Sequence, residues 1–255
     1  MTELTIRQIP VLRDNYVYLI RDPDTDATGV VDPSVAAPVL DVLKETGWRL
    51  THILNTHHHA DHTGGNLELK QATSCIIVGP RADRDRIPGI DLAVGDGDTY
   101  QFGQRAARVF DVPGHTRGHI AYWFADSRAL FCGDTLFIMG CGRLFEGTPA
   151  QMWDSLGKLK GLPAETRVYC GHEYTQNNAR FALTVDPDNA ALRARAQRVD
   201  ALRAQNLSTV PGTIGEELLT NPFLRADQKA LQEVAGTVGD PIATLAAIRH
   251  RKDNF

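Results

Sequence analysis

Cysteine is scarce in this sequence: four residues in 255, with no two in CxxC spacing. That spacing offers neither a thiolate zinc framework nor a dense disulfide pattern. Cys75, Cys132, Cys141 and Cys170 therefore read as reduced thiols of a cytoplasmic protein, and Cys75, Cys132 and Cys170 lie in apolar runs. No apolar run approaches the ~20 residues a membrane helix needs. The opening Met1-Thr2-Glu3-Leu4 does not lead from a basic segment into an apolar one, so no signal peptide is expected. Repeats and low-complexity tracts are missing too. Charge of one sign is also lacking. Lys and Arg number 27 and Asp and Glu 31, a net −4, and this balance suggests neither a nucleic acid nor a membrane partner. What remains, 42% hydrophobic and 23% charged, is the composition of a soluble globular chain with ample material for a core.

Short strand-like runs come first: Leu4 to Ile9, Tyr16 to Ile20 and Gly29 to Asp32. Val35 to Thr46 has helical spacing and stops at Gly47. Further strands are predicted at His52 to Asn55, Cys75 to Val78, Ala107 to Val112, Ile120 to Phe124, Ala129 to Cys132 and Arg167 to Cys170, with helices at Leu67 to Gln71 and Ala150 to Leu159. After Tyr174 the chain becomes rich in Ala, Leu, Arg and Gln. Asp186-Pro187 reads as the cap and first position of a helix reaching about Gln205, and short helices follow at Gly215 to Leu219, Gln228 to Val234 and Pro241 to Arg249. We expect an α/β domain of layered sheets and helices over 1–173 and a helical domain over 174–255.

The chemistry centres on Thr56-His57-His58-His59-Ala60-Asp61-His62, directly after a strand. His57, His59, Asp61 and His62 put four donors within six residues. Packing does not account for such a cluster, because imidazoles repel when protonated and are costly to bury unpaired. Binding a cation as neutral donors resolves both difficulties. Imidazole and carboxylate without thiolate suit Zn²⁺, Fe²⁺ or Mn²⁺, of which we expect Zn²⁺. His57 and His59 share a direction and Asp61 and His62 turn away, which suggests two metal positions; spacing leaves a single position open. His58 points opposite its neighbours.

Three more donors follow buried strands beside a glycine: His115 after Pro113-Gly114, Asp134 after Gly133 and His172 after Gly171. Strand ends on one sheet edge converge, so these can supply the missing ligands. Asp32 ends another strand and is suited to orient a ligand histidine through its second nitrogen. His52, His119 and His250 are left outside the ligand set. Arg249, Arg251 and Lys252 form a basic group at the end of the last helix, a solvated charge run when read alone.

H-x-H-x-D-H with the later His, Asp and His resembles the metallo-β-lactamase superfamily. Asn15-Tyr16-Val17-Tyr18, Pro113 to Thr116, Cys132 to Phe137, Gly140 to Arg143, Gly171 to Thr175, Asn221 to Arg225 and Arg249 to Phe255 are similar to glyoxalase II, the hydroxyacylglutathione hydrolases, across essentially the whole chain. The resemblance implies a four-layered αββα sandwich followed by a small C-terminal helical domain that binds the glutathione part of the substrate. It implies two divalent metals. His57, His59 and His115 would hold the first, Asp61, His62 and His172 the second, with Asp134 bridging. Arg143, Tyr174, Arg249 and Lys252 would hold glutathione. Arg143 stands where the family commonly has Lys, and Phe145 where it commonly has Tyr.

The expected reaction is hydrolysis of S-D-lactoylglutathione, and related 2-hydroxyacyl thioesters, to glutathione and D-lactate. This is the second step of methylglyoxal detoxification, and the nucleophile is a hydroxide between the metals. Asp61 and Asp134 are the expected catalytic carboxylates, and a monomer is expected. A thiolate leaving group with pKa ~8.5 departs without a general acid. The rivals are an iron persulfide dioxygenase, which lacks the helical tail; a lactonase or nuclease of the superfamily, the latter disfavoured by the acidic charge; and a closed structural metal module, which would be thiolate-rich.

Overall fold

The computed structural model describes residues 2–255. They divide into two compact units. The first holds residues up to Asp111 together with Arg117–Gly133, and the second Val112–Thr116 with Asp134–Phe255. The compositional change near residue 174 lies inside the second unit.

In the first unit, β1 (Thr5–Val11), β2 (Asn15–Arg21) and β3 (Thr28–Val31) are antiparallel neighbours. Helix α1 (Ala37–Thr46) follows, with Val39 and Leu43 buried one turn apart, and it ends at Gly47 in the left-handed region that glycine favours. Strand β4 (His52–Leu54), short helices α2 (Ala60–Thr63) and α3 (Asn66–Thr73), and strands β5 (Ile76–Pro80) and β6 (Leu92–Val94) complete this half. Strands β3 to β6 are parallel. Strand β2 is buried on both faces from Asn15 to Ile20, which is why its sequence is a continuous apolar run rather than an alternation. Val17, Leu19, Val30, Val39, Ile53, Leu69 and Ile77, all at 0% exposure, form one cluster. Each such side chain stabilises the unit by roughly 2 kcal/mol. An antiparallel meander, β7 (Thr99–Phe102), β8 (Arg105–Asp111), β9 (Ile120–Phe124) and β10 (Ala129–Gly133), completes the unit. Parallel pairing sends the carboxyl ends of β3 and β4 to one edge. Asp32 therefore emerges beside the histidine run, and its N–H bonds Leu54 O at 3.1 Å.

In the second unit, β11 (Leu136–Phe137) and β12 (Gly140–Cys141) form a hairpin. Helix α4 (Pro149–Lys160) opens with a capping box from Thr148 and Gln151. Then come β13 (Arg167–Cys170), α5 (Thr175–Val185), α6 (Ala190–Ala204), β14 (Gly212–Thr213, paired with β13), α7 (Ile214–Thr220), α8 (Lys229–Ala235) and α9 (Pro241–Asp253). Helix α7 holds the hairpin. Buried Glu217 meets Arg195 at 2.6 Å and accepts from Met139 N at 2.8 Å, while Asn221 Nδ2 donates to Gly140 O at 2.9 Å.

Two predicted boundaries move. The helix expected from Asp186-Pro187 begins at Ala190, because Asn189 caps it through Leu192 N at 3.0 Å. The Asp186 carboxylate is taken instead by Arg225 and by Asn189 Nδ2. Helix α5, which the sequence reading missed, ends just before Asp186. The last helix, predicted to stop at Arg249, runs on to Asp253, so Arg251 and Lys252 are helical residues too.

Candidate metal centre

In the first unit, the run from Thr56 to His62 leaves β4 and from Ala60 coils into the single turn α2, closed by Gly64 N to Ala60 O at 2.8 Å. It is therefore not wholly loop, and this turn redirects Asp61 and His62. Asp32 anchors the run. Its backbone lies in the left-handed region (φ 49°), which short polar side chains tolerate. Oδ1 accepts Thr56 N at 2.7 Å and Oδ2 accepts Thr56 Oγ1 at 2.6 Å. Oδ2 also lies 3.2 Å from His62 Nδ1. A proton shared there leaves the lone pair on Nε2, the second-nitrogen arrangement expected of Asp32. His57 Nε2 is 3.2 Å from His59 Nδ1, and His62 Nε2 is 3.6 Å from Asp61 Oδ2. Asn15 Nδ2 donates to both Asp61 Oδ2 and Asp61 O, each at 3.1 Å, and Ser34 Oγ donates to the same carbonyl.

In the second unit, His115 Nδ1 lies 2.9 Å from Arg143 O, so it donates there and again leaves Nε2 as the acceptor. Asp134 Oδ2 is 3.5 Å from His115 Nε2 and 3.3 Å from His172 Nε2. A single carboxylate oxygen thus faces two imidazoles. Gly142 lets the Asp134 backbone pack closely here: a Cβ there would stand 2.0 Å from Asp134 O and 3.1 Å from His115 Nδ1. The His172 ring lies parallel to Tyr174 (4.7 Å, 4°), with Phe137 edge-on at 6.0 Å.

The four donor separations, 3.2, 3.6, 3.5 and 3.3 Å, can be compared with a coordination shell. Metal–nitrogen bonds of ~2.0–2.1 Å in tetrahedral geometry put ligand atoms about 3.3 Å apart. The residues fit. Burial raises the Cys170 thiol to about 12 and the Cys141 thiol to about 11, so both stay protonated at neutral pH.

The other candidates sort by surroundings. His119 lies flat against His57 at 4.5 Å. His52 packs edge-on to Tyr100 and Phe102, where burial lowers its pKa, and His250 is exposed. The Phe145 ring is 57% exposed, 5.2 Å from His115, with the Arg143 guanidinium 5.0 Å above it. Arg249 is buried. Its Nη1 donates to Cys141 O at 2.8 Å, and its Nε and Nη2 reach Asp253 at 3.1 and 3.0 Å. Lys252 donates to Asn177 and lies over the Phe181 and Phe255 rings at 5.3 and 5.1 Å. Arg251 is exposed. The sequence reading assigned no role to Asn15, Asp83 or Arg86. Of these, Asn15 alone carried a signal, as the first residue of Asn15-Tyr16-Val17-Tyr18.

The sequence model described as "Metallo-beta-lactamase superfamily" matches residues 11–172, and "Hydroxyacylglutathione hydrolase C-terminus" matches residues 173–255. The hydroxyacylglutathione hydrolase of Methylococcus capsulatus is 60% identical over 253 residues, 99% of each chain. That of Rhodospirillum rubrum is 60% identical over the whole of both. The chain belongs to the hydroxyacylglutathione hydrolase family. Its fold is the metallo-β-lactamase fold with this family's helical C-terminal region. Among solved structures, ETHE1 from Myxococcus xanthus is 28% identical, with a TM-score of 0.68 over 97% of this chain and 98% of that one. TTHA1623, solved in a di-iron-bound form, is 25% identical, with a TM-score of 0.62 over 86% of this chain and all of that one. Among the described residues, His and Asp side chains are grouped closely enough to hold metal ions, as expected of a member of this family.

Proposed function

We propose that the protein hydrolyses S-D-lactoylglutathione and related 2-hydroxyacyl-glutathione thioesters to glutathione and the free hydroxy acid. The observation that carries this reading is the full-length match to hydroxyacylglutathione hydrolases, helical region included. The test is release of free thiol from S-D-lactoylglutathione with D-lactate in equal amount. Release of neither product by metal-loaded protein would end the proposal.

In this reading His57, His59 and His115 hold one divalent cation, Asp61, His62 and His172 a second, and Asp134 both. Zn²⁺ is our first choice, with Fe or Mn as alternatives. The pairing of donors within each unit and the family pattern support the assignment. Such a pair, when bound, lowers the pKa of water toward neutrality and polarises the thioester carbonyl. Asp61 takes a proton from the attacking water, and Asn15, donating to Oδ2, fixes that carboxylate's rotamer. Residues 1–173 act as the catalytic domain and 174–255 as the glutathione-binding domain. Arg143, Tyr174, Arg249 and Lys252 meet the tripeptide. We place the protein in the cytoplasm as a monomer. No helix among the described residues is long and apolar enough to cross a membrane, and none of the four cysteines forms a disulfide.

The resemblance implies a Tyr where this chain has Phe145. A hydroxyl restored beside Arg143 and His115 should add one hydrogen bond to substrate, ~0.5–1.5 kcal/mol. Phe145→Tyr is therefore expected to lower KM by about two- to tenfold with kcat little changed. An unchanged KM would place position 145 outside the substrate contacts.

A further inference from the structure

His58 is the histidine of the run that takes no part in the proposed ligand set, and it is held on both nitrogens. Nδ1 lies 3.1 Å from Asp83 Oδ2, and Nε2 lies 3.1 Å from Arg86 Nη1. Arg86 also donates to the other oxygen of the same carboxylate, Nε to Oδ1 at 3.1 Å. The three side chains close a triangle. A guanidinium only donates, so His58 Nε2 accepts, and Nδ1–H donates to Asp83. One tautomer and one ring orientation satisfy both partners.

The triangle reaches a third segment. Asp83 is 2% exposed, and a Cβ on Gly118 would stand 2.3 Å from its carboxyl carbon, so the 118 backbone packs directly against it. The next residue, His119, stacks on His57 at 4.5 Å. Asp83 thus touches the chain at two places next to His57 and His59: at His58, between them in sequence, and at Gly118, whose neighbour His119 stacks on His57. Asp83 itself sits at a break in the short 3₁₀ segment Arg81–Arg86 (φ −113°, ψ 17°).

We propose that Asp83 and Arg86 are positioning residues which, acting through His58, fix the directions of His57 and His59 and so tighten metal binding at that pair. The inference rests on the metal-site reading above. His57 and His59 are alternate residues on a short loop, so rotation of the intervening peptide moves both donor nitrogens together. Clamping His58 on two sides removes that rotation before the cation arrives, as outer partners of ligand residues do elsewhere.

The test is Zn²⁺ affinity of the apo-protein, measured by competition with a chromophoric chelator, for the wild type, Asp83→Asn, His58→Leu, the double variant, Arg86→Ala and Arg86→Lys. Loss of an outer partner typically weakens metal affinity about 10- to 100-fold. Asp83→Asn and His58→Leu should each fall in that range, and the double variant should be no weaker than the weaker single. Arg86→Ala should lose affinity, and Arg86→Lys, which keeps the charge but has one nitrogen for two partners, should recover part of it. If Asp83→Asn does not fold, the Arg86 pair, at a partly exposed site, carries the test. Singles that bind like wild type, losses that multiply in the double, or an Arg86→Ala protein with undiminished affinity would each overturn the brace. A wild type that fails to bind Zn²⁺ at all would instead sink the metal-site reading.

Discussion

Asp134→Ala is expected to lower kcat/KM for S-D-lactoylglutathione by about a thousandfold or more, some 4 kcal/mol of transition-state stabilisation. The variant should also lose much of its bound metal. The reason is geometric: the same Oδ2 stands 3.5 Å from His115 Nε2 and 3.3 Å from His172 Nε2, so one substitution removes a ligand shared by both proposed positions. Asp134→Asn keeps the shape but not the charge, and should be nearly as damaging. Steady-state thiol release and elemental analysis of the same preparations check this. A loss under about tenfold with the metal content intact would show that Asp134 is not shared.

The second large effect concerns α9. Removing Arg249 and Lys252 together should raise KM far more than it lowers kcat, because both are proposed to bind a part of the substrate remote from the reacting carbonyl. The singles should differ. Lys252→Ala is expected to raise KM about tenfold with little change in stability, as loss of one charge-assisted contact would. Arg249→Ala should raise KM and also destabilise the protein by ~2 kcal/mol, since the buried Cys141 carbonyl loses its donor. Burial, aided by the Arg249 charge, lowers the Lys252 pKa to about 8. Below that pH the ammonium is present to meet a carboxylate; above it the charge is lost. KM should therefore rise as pH passes about 8, and Lys252→Arg should flatten that rise. An unchanged KM with a fallen kcat in the double variant would remove α9 from substrate binding.

The histidine run stood out in the sequence because four donors in six residues have no other economical reading. His115, Asp134 and His172 stood out in the sequence because each follows a strand-like run and a glycine, and the structure sets His115 and His172 beside Asp134. The parallel register of β3 and β4 likewise sets Asp32 beside the run. What stayed hidden depends on partners distant in the chain. The Asp83–Arg86 brace lies in Arg-Ala-Asp-Arg-Asp-Arg, which reads as a solvated charged turn until its partner 25 residues upstream is known. Asp186 looked like a helix cap; Arg225, 39 positions on, claims its carboxylate, and the cap passes to Asn189. The basic end of α9 looked like a solvated run, yet Arg249 is buried because Cys141 O and Asp253 receive its guanidinium. Helix α5 begins with Thr-Gln-Asn-Asn, a polar opening that masks the buried stripe Ala179, Ala182 and Val185.

The most direct test of a two-cation thioesterase is to titrate metal-free protein with Zn²⁺ while following thiol release from S-D-lactoylglutathione. Activity should start near zero and level off at two equivalents per chain, with glutathione and D-lactate formed in equal amounts and no oxygen consumed. Full activity without metal, a plateau at one equivalent, or oxygen uptake with glutathione persulfide in place of thioester cleavage would contradict it.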